Sequence, residues 1–220
     1  MFIEQLVVGP YQTNCYILGE EKTKSAWIID PGAEAEAIIS KIEEREVLPV
    51  AVLLTHAHWD HITALPALVK EYGELEIFVG ENDRNYLGKG SYAFIKKACN
   101  DNSFLNMFDK QLSMLPDPTT LLSGRQFLQD CRLLAIPSPG HTPGGFCYYS
   151  EEGQFIFTGD TLFAGSIGRT DLYGGDYQAM LRSCMTLMDL EDDVQVLPGH
   201  GPQTTIGRER RYNPYCQGNV

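Results

Sequence analysis

Four side chains able to hold a metal fall within six residues in the run Thr55-His56-Ala57-His58-Trp59-Asp60-His61. Side chains two apart in an extended segment point the same way, so His56 and His58 can grip one ion together. Asp60 and His61 follow where the chain turns; they face another direction and suit a second ion. The chain has five histidines, and none is left over as a casual surface residue. The other two sit in Gly140-His141-Thr142-Pro143-Gly144 and Pro198-Gly199-His200-Gly201-Pro202, and Gly159-Asp160 adds a further carboxylate. A donor set of nitrogen and oxygen suits zinc and tolerates iron or manganese. Two divalent ions about 3.5–4 Å apart can share a water and lower its pKa from about 15.7 toward 7, which yields a hydroxide nucleophile at neutral pH. One ion can also polarise a scissile carbonyl and stabilise the developing oxyanion. Asp160 is the candidate for a second, carboxylate bridge, and Asp60 and Asp160 are the candidate catalytic carboxylates.

Each motif stands just beyond an apolar run that reads as a strand. His56 follows the buried run 50–54, His141 the run 132–136, Asp160 the run 154–158 and His200 the run 194–197. Ligand sites in open α/β sheets favour the carboxyl ends of strands, and the glycines and prolines fix tight turns that present the ligands. Further strands are expected at 2–8, 14–19, 25–30, 75–79 and 145–149, and helices at 33–46, 62–72, 175–188 and 204–212. Strands and helices interleave, which predicts an α/β architecture with helices outside. The stretch 81–125 is rich in aromatic and methionine side chains without strand alternation, and reads as short helices broken by Pro116, Asp117 and Pro118. No linker is evident, so residues 1–220 read as one domain.

Composition narrows the function further. The net charge of −12 repels phosphate backbones, so nucleic acid is not an expected partner. The densest basic cluster, Arg208, Arg210 and Arg211, reads as a solvated helix end. The six cysteines form no CxxC pair and several lie in apolar runs, as buried reduced thiols do. No apolar run approaches about 18 residues and no leader pattern opens the chain. A soluble, cytoplasmic protein without a membrane partner is expected.

His56-Ala57-His58-Trp59-Asp60-His61 resembles the HxHxDH motif of the metallo-β-lactamase superfamily, and His141, Asp160 and His200 fit its later ligand positions in order. The resemblance implies an αββα sandwich, two mixed sheets packed face to face with helices outside. It implies one metal on His56, His58 and His141, a second on Asp60, His61 and His200, and Asp160 between them. None of the cysteines occupies a ligand position, as one does in several classes of true β-lactamase. Gly159-Asp160-Thr161-Leu162-Phe163, Gly168-Arg169-Thr170-Asp171-Leu172, and Thr204-Thr205-Ile206 followed by Asn213-Pro214-Tyr215 look like short, single-domain glyoxalase II-like hydrolases. That implies a small thioester substrate such as S-lactoylglutathione. Two-domain glyoxalase II adds a C-terminal helical domain with glutathione contacts, and no such domain is expected after the last metal motif here. The 81–125 stretch is then either a helical layer on the core or a lid over the thioester. Arg169 is either a contact to a substrate carboxylate or a brace to Asp171. A mononuclear iron persulfide dioxygenase of the same superfamily shares the Gly-Arg-Thr-Asp wording and is the alternative. The acyl group, the thiol carrier and the oligomeric state are not legible in the sequence.

Overall fold

A computed structural model describes residues 1–217; residues 218–220, the end of the expected domain, lie outside the described residues. The chain divides into two compact units, Met1–Leu122 and Ser123–Val220. Each is built on one six-stranded mixed sheet.

The first unit runs β1 (Phe2–Val8), β2 (Thr13–Glu20), β3 (Ser25–Ile29), α1 (Ala35–Glu44), β4 (Leu48–Leu53), α2 (Leu65–Tyr72), β5 (Glu76–Gly80), α3 (Ser91–Ala98), α4 (Asn102–Met107), α5 (Asp109–Leu112) and β6 (Thr120–Leu122). Its sheet keeps chain order, β1 to β6. The β1–β2 and β2–β3 pairs are antiparallel, and the pairs from β3 to β6 are parallel. β3 from Ala26 and the end of β4, Ala51 to Leu53, are buried on both faces, whereas Leu48 and Val50 at the start of β4 are exposed. Helix α1 buries Ala35, Ile38 and Ile42, the single stripe expected of a crossover helix. Helix α2 starts with a proline in its first turn and stops at Gly73, whose φ is 72°, a conformation that costs glycine little.

The 81–125 stretch is not helical throughout. A 3-10 turn at Glu81–Tyr86 precedes α3, α4 and α5, and the stretch then ends in β6, which joins the sheet beside β5. The prolines at 116 and 118 stop the helices. Thr119 then receives the sheet, its amide donating to the Ile77 carbonyl (3.1 Å), and a three-residue strand is too short to show a period. Tyr86, Ile95, Phe104, Leu105 and Leu112 are buried in this unit, whereas Met107 and Met114 are exposed.

The second unit runs β7 (Gln126–Leu128), β8 (Leu133–Pro137), β9 (Phe146–Ser150), β10 (Phe155–Gly159), β11 (Leu162–Phe163), β12 (Ser166–Ile167), α6 (Tyr177–Leu187), β13 (Gln195–Pro198), β14 (Thr204–Thr205), α7 (Ile206–Tyr212) and a final 3-10 turn at Pro214–Cys216. The sheet order is β14-β13-β10-β9-β8-β7, with β11–β12 as a separate hairpin. Only β10–β13 is parallel in the six-stranded sheet. Helix α6 is capped by Asp176, whose carboxylate accepts from the Ala179 amide (2.9 Å). Its Met180, Cys184 and Leu187 are fully buried and belong to one apolar cluster with Ile156, Val196 and Ile206. The arginine cluster is occupied structurally: Arg210 donates to the Met188 carbonyl at the end of α6 (2.7 Å), and both Arg210 and Arg211 pair with Asp192. No helix among the described residues is long and apolar enough to cross a membrane.

Candidate metal centre

In the first unit, β3 and β4 run parallel with Ile29 opposite Leu53. The residues just past the end of one strand therefore emerge beside those just past the end of the other. After β3 comes Asp30, buried and with a φ of 51°; after β4 comes Thr55. The Asp30 carboxylate accepts from the Thr55 amide (2.8 Å) and from the Thr55 hydroxyl (2.6 Å). Having given its one proton to Asp30, the Thr55 oxygen can only accept from His56 Nδ1, 3.1 Å away. His61 Nδ1 lies 3.1 Å from Asp30 Oδ2. The His56 ring thus carries its proton on Nδ1 and its lone pair on Nε2, the form a metal requires.

Trp59–His61 form a 3-10 turn, which brings the His61 Nε2 to 3.6 Å from Asp60 Oδ2. The rings of His56 and His58 meet edge-on at 4.9 Å, and those of His56 and His61 at 4.2 Å. Donor atoms of Asp30, His56 and His61 also lie within 4.8 Å of one another. Asp30 nonetheless reads as the outer partner, because both of its oxygens accept from Thr55. Thr13 donates to Asp60 Oδ2 (3.4 Å). A Cβ on Gly32 would collide with the Asp60 carbonyl, so only glycine lets the two segments meet. Buried Asp83, from the 3-10 turn at Glu81–Tyr86, accepts from the Ala57 amide between His56 and His58 (3.2 Å). Trp59 is buried beside His58, their rings 4.9 Å apart.

In the second unit the parallel pair β10–β13 does the same work. Gly159 pairs with Pro198, so Asp160 and His200 emerge side by side. Strand β8 is antiparallel to β9 and β9 to β10, which sends the C-terminal end of β8, and with it His141, the same way. Asp160 divides its carboxylate: Oδ2 lies 3.4 Å from His141 Nε2 and Oδ1 3.5 Å from His200 Nε2. His141 Nδ1 donates to the Arg169 carbonyl (2.7 Å), which leaves its Nε2 to ligate. A Cβ on Gly168 would strike the Asp160 carbonyl, and it would stand 3.4 Å from His141 Nδ1. The Arg169 guanidinium makes a bidentate, exposed pair with Asp171, both bonds 2.7 Å, and holds the Asp171 carboxyl down at about 2.

Within the first unit the expected ligands His56, His58, Asp60 and His61 are drawn together, and within the second His141, Asp160 and His200. The donor set fits divalent metal: imidazole nitrogens and carboxylates, with no thiolate, and the rings of His56 and His141 oriented by hydrogen-bond partners on Nδ1. Sequence reasoning missed Asp30, which it placed as the last residue of a strand. The signal available was a carboxylate closing an apolar strand just before Pro31-Gly32. It also missed Asp83 and the Arg169 carbonyl, and a main-chain acceptor has no sequence signature.

The sequence model of the metallo-β-lactamase superfamily matches residues 8–200. A hydroxyacylglutathione hydrolase, GloC, of Haemophilus influenzae is 37% identical over 224 residues, covering 98% of each chain. A probable metallo-hydrolase, YqgX, of Bacillus subtilis is 34% identical over 97% of each. Among solved structures, the BLEG-1 B3 metallo-β-lactamase is similar with a TM-score of 0.83 at 33% identity, covering 99% of this chain and 100% of that one. TTHA1623 in a di-iron-bound form is similar at 0.80 and 32%, covering 96% and 99%. The fold is thus a mixed α/β one of the metallo-β-lactamase type, and the chain belongs to the metallo-β-lactamase superfamily of hydrolases.

Proposed function

We propose that the chain is a binuclear metal-dependent thioester hydrolase of the glyoxalase II kind, acting in a reducing cytoplasm on S-lactoylglutathione or a related small thioester. The observation that carries the binuclear reading is Asp160, whose two oxygens face the Nε2 atoms of two different histidines. On the family's ligand order, His56, His58 and His141 would hold one ion and Asp60, His61 and His200 the other, with Asp160 a ligand to both. Bound ions, most simply zinc, would supply Lewis acidity and a water acidic enough to ionise near neutral pH. The chain's own residues do the rest. Asp30, through Thr55, fixes the ring of His56 and stands beside that of His61; the Arg169 carbonyl fixes His141. The Arg169 side chain, poised by its pair with Asp171, binds a substrate carboxylate, and the 81–125 stretch covers the acyl group. Six free, buried thiols support a reducing compartment, and the similarity to GloC supports the substrate class.

The test is metal analysis and a substrate panel on one preparation: S-lactoylglutathione, other acyl-glutathiones, acyl-CoAs and a β-lactam. Two divalent ions per chain, with acyl-glutathione as the fastest substrate, are expected. One iron per chain with oxygen uptake on glutathione persulfide would instead establish the dioxygenase reading. Two ions with no thioester turned over would sink the thioesterase.

A further inference from the structure

The motif Thr204-Thr205-Ile206 … Asn213-Pro214 holds no metal ligand, yet it converges on one buried carboxylate. Glu209 of α7 is 1% exposed. Its Oε1 accepts from the Thr204 hydroxyl (2.6 Å), and its Oε2 accepts from the Gly165 amide (2.7 Å) and from Asn213 Nδ2 (2.9 Å). Asn213 Nδ2 also donates to the Ser166 carbonyl (3.0 Å). Gly165 lies in the turn of the β11–β12 hairpin and Ser166 opens its second strand, paired with Phe163.

That hairpin is short, and both its ends matter. Its first strand begins two residues after Asp160. Its second ends two residues before Arg169, whose carbonyl receives His141 Nδ1 (2.7 Å). The base is closed by the Gly168 amide donating to the Thr161 carbonyl (3.4 Å). Two-residue strands with one turn have little stability of their own; a buried carboxylate accepting several hydrogen bonds supplies what is missing.

We infer that Glu209, seconded by Asn213, is a positioning residue: it grips the tip of the β11–β12 hairpin and so fixes the Arg169 carbonyl that aims His141. It touches no reacting atom. The link to a metal rests on the function proposed above, but the link to the His141 ring does not.

The test compares Glu209→Met, Glu209→Gln and Asn213→Ala with the parent, on protein as purified. Glutamine can keep its carbonyl toward Gly165 and Asn213 and turn its amide to the Thr204 hydroxyl, so it rescues; methionine keeps the volume and loses every bond. Two readouts are taken well below the melting temperature: hydrogen exchange of the Gly165 amide and His141 Nδ1–H by NMR, and zinc affinity by chelator competition. Glu209→Met is expected to speed both exchanges and weaken zinc binding by about tenfold or more, with Glu209→Gln close to the parent and Asn213→Ala between them. Should Glu209→Met fail to fold, Asn213→Ala alone decides, since it keeps the Gly165 bond. Parent-like His141 Nδ1–H exchange in a folded Met or Ala variant, whatever its melting temperature, would overturn the proposal. Faster ring exchange in a chain that proves not to be a two-metal thioesterase would uphold the positioning role while that function fell.

Discussion

At the scale of single residues, the centre depends on who holds the histidines as much as on the histidines. Asp160→Ala is expected to abolish turnover and lower metal occupancy, read by elemental analysis beside a thioester assay; near-full activity with both ions present would refute the bridge. Asp30→Asn keeps the shape but weakens the hold on His56 through Thr55 and removes the charge beside His61. A loss of about 10–100-fold in metal affinity or activity is expected, as for other outer partners of metal ligands. Arg169→Ala leaves the carbonyl at 169 in place, so metal content should not change. A raised KM for an anionic thioester with kcat largely kept would mark the side chain as a substrate contact; an unchanged KM would leave it as the brace to Asp171. The candidate ligands were legible because all five histidines stand in turns after apolar runs. Asp30 was not, because a carboxylate at a strand end is usually a solvated turn residue, and only the Thr55 and His61 contacts reveal otherwise.

At the scale of elements, the strands that the candidate ligands follow, β4, β8, β10 and β13, are apolar runs of four to six residues, and these were legible. The strands β6, β7, β11, β12 and β14 were not. Each has two or three residues, too few for any period, and they exist because a neighbouring strand offers its unpaired edge. Their turns are nonetheless sensitive. Gly168→Ala drives a methyl into the Asp160 carbonyl, a backbone atom that cannot swing away. Destabilisation of about 1–3 kcal/mol and loss of metal affinity are expected together, checked by denaturant unfolding and chelator competition. Leu187→Ala on α6, fully buried in the apolar cluster, should cost about 2–5 kcal/mol and leave the metal affinity of the folded protein unchanged.

At the scale of the whole molecule, the α/β class was legible from the interleaving of runs, while the unit boundary after Leu122 was not, because no proline- or glycine-rich linker or shift of composition marks it. Two global measurements bear on the fold. Metal removal should lower the melting temperature, since ions that bind only the folded state add about 2.7 kcal/mol per site at a hundred times Kd; a chelator without effect would argue against bound metal. Burial pushes the Cys131 thiol up to about 11 and raises those of Cys15 and Cys99 as well. The unfolded thiol ionises near its ordinary value of about 8.5, so above that pH the unfolded chain binds fewer protons than the folded one. Stability is therefore expected to fall as pH rises toward about 11. Denaturant midpoints across that range check it, and Cys131→Ala should flatten the slope.

The two glycines that admit an aspartate carbonyl, Gly32 at Asp60 and Gly168 at Asp160, have a consequence for how this protein tolerates change. Neither has a side chain to contribute, and neither carries a positive φ; their requirement is the absence of an atom. In a saturation-mutagenesis map scored for activity, both positions are expected to be as intolerant as the ligands, and intolerant of alanine nearly as much as of tryptophan. Inheritance at these sites would then preserve an empty volume, and a designer moving the proposed centre to another scaffold would have to carry over two vacancies along with the seven proposed ligands.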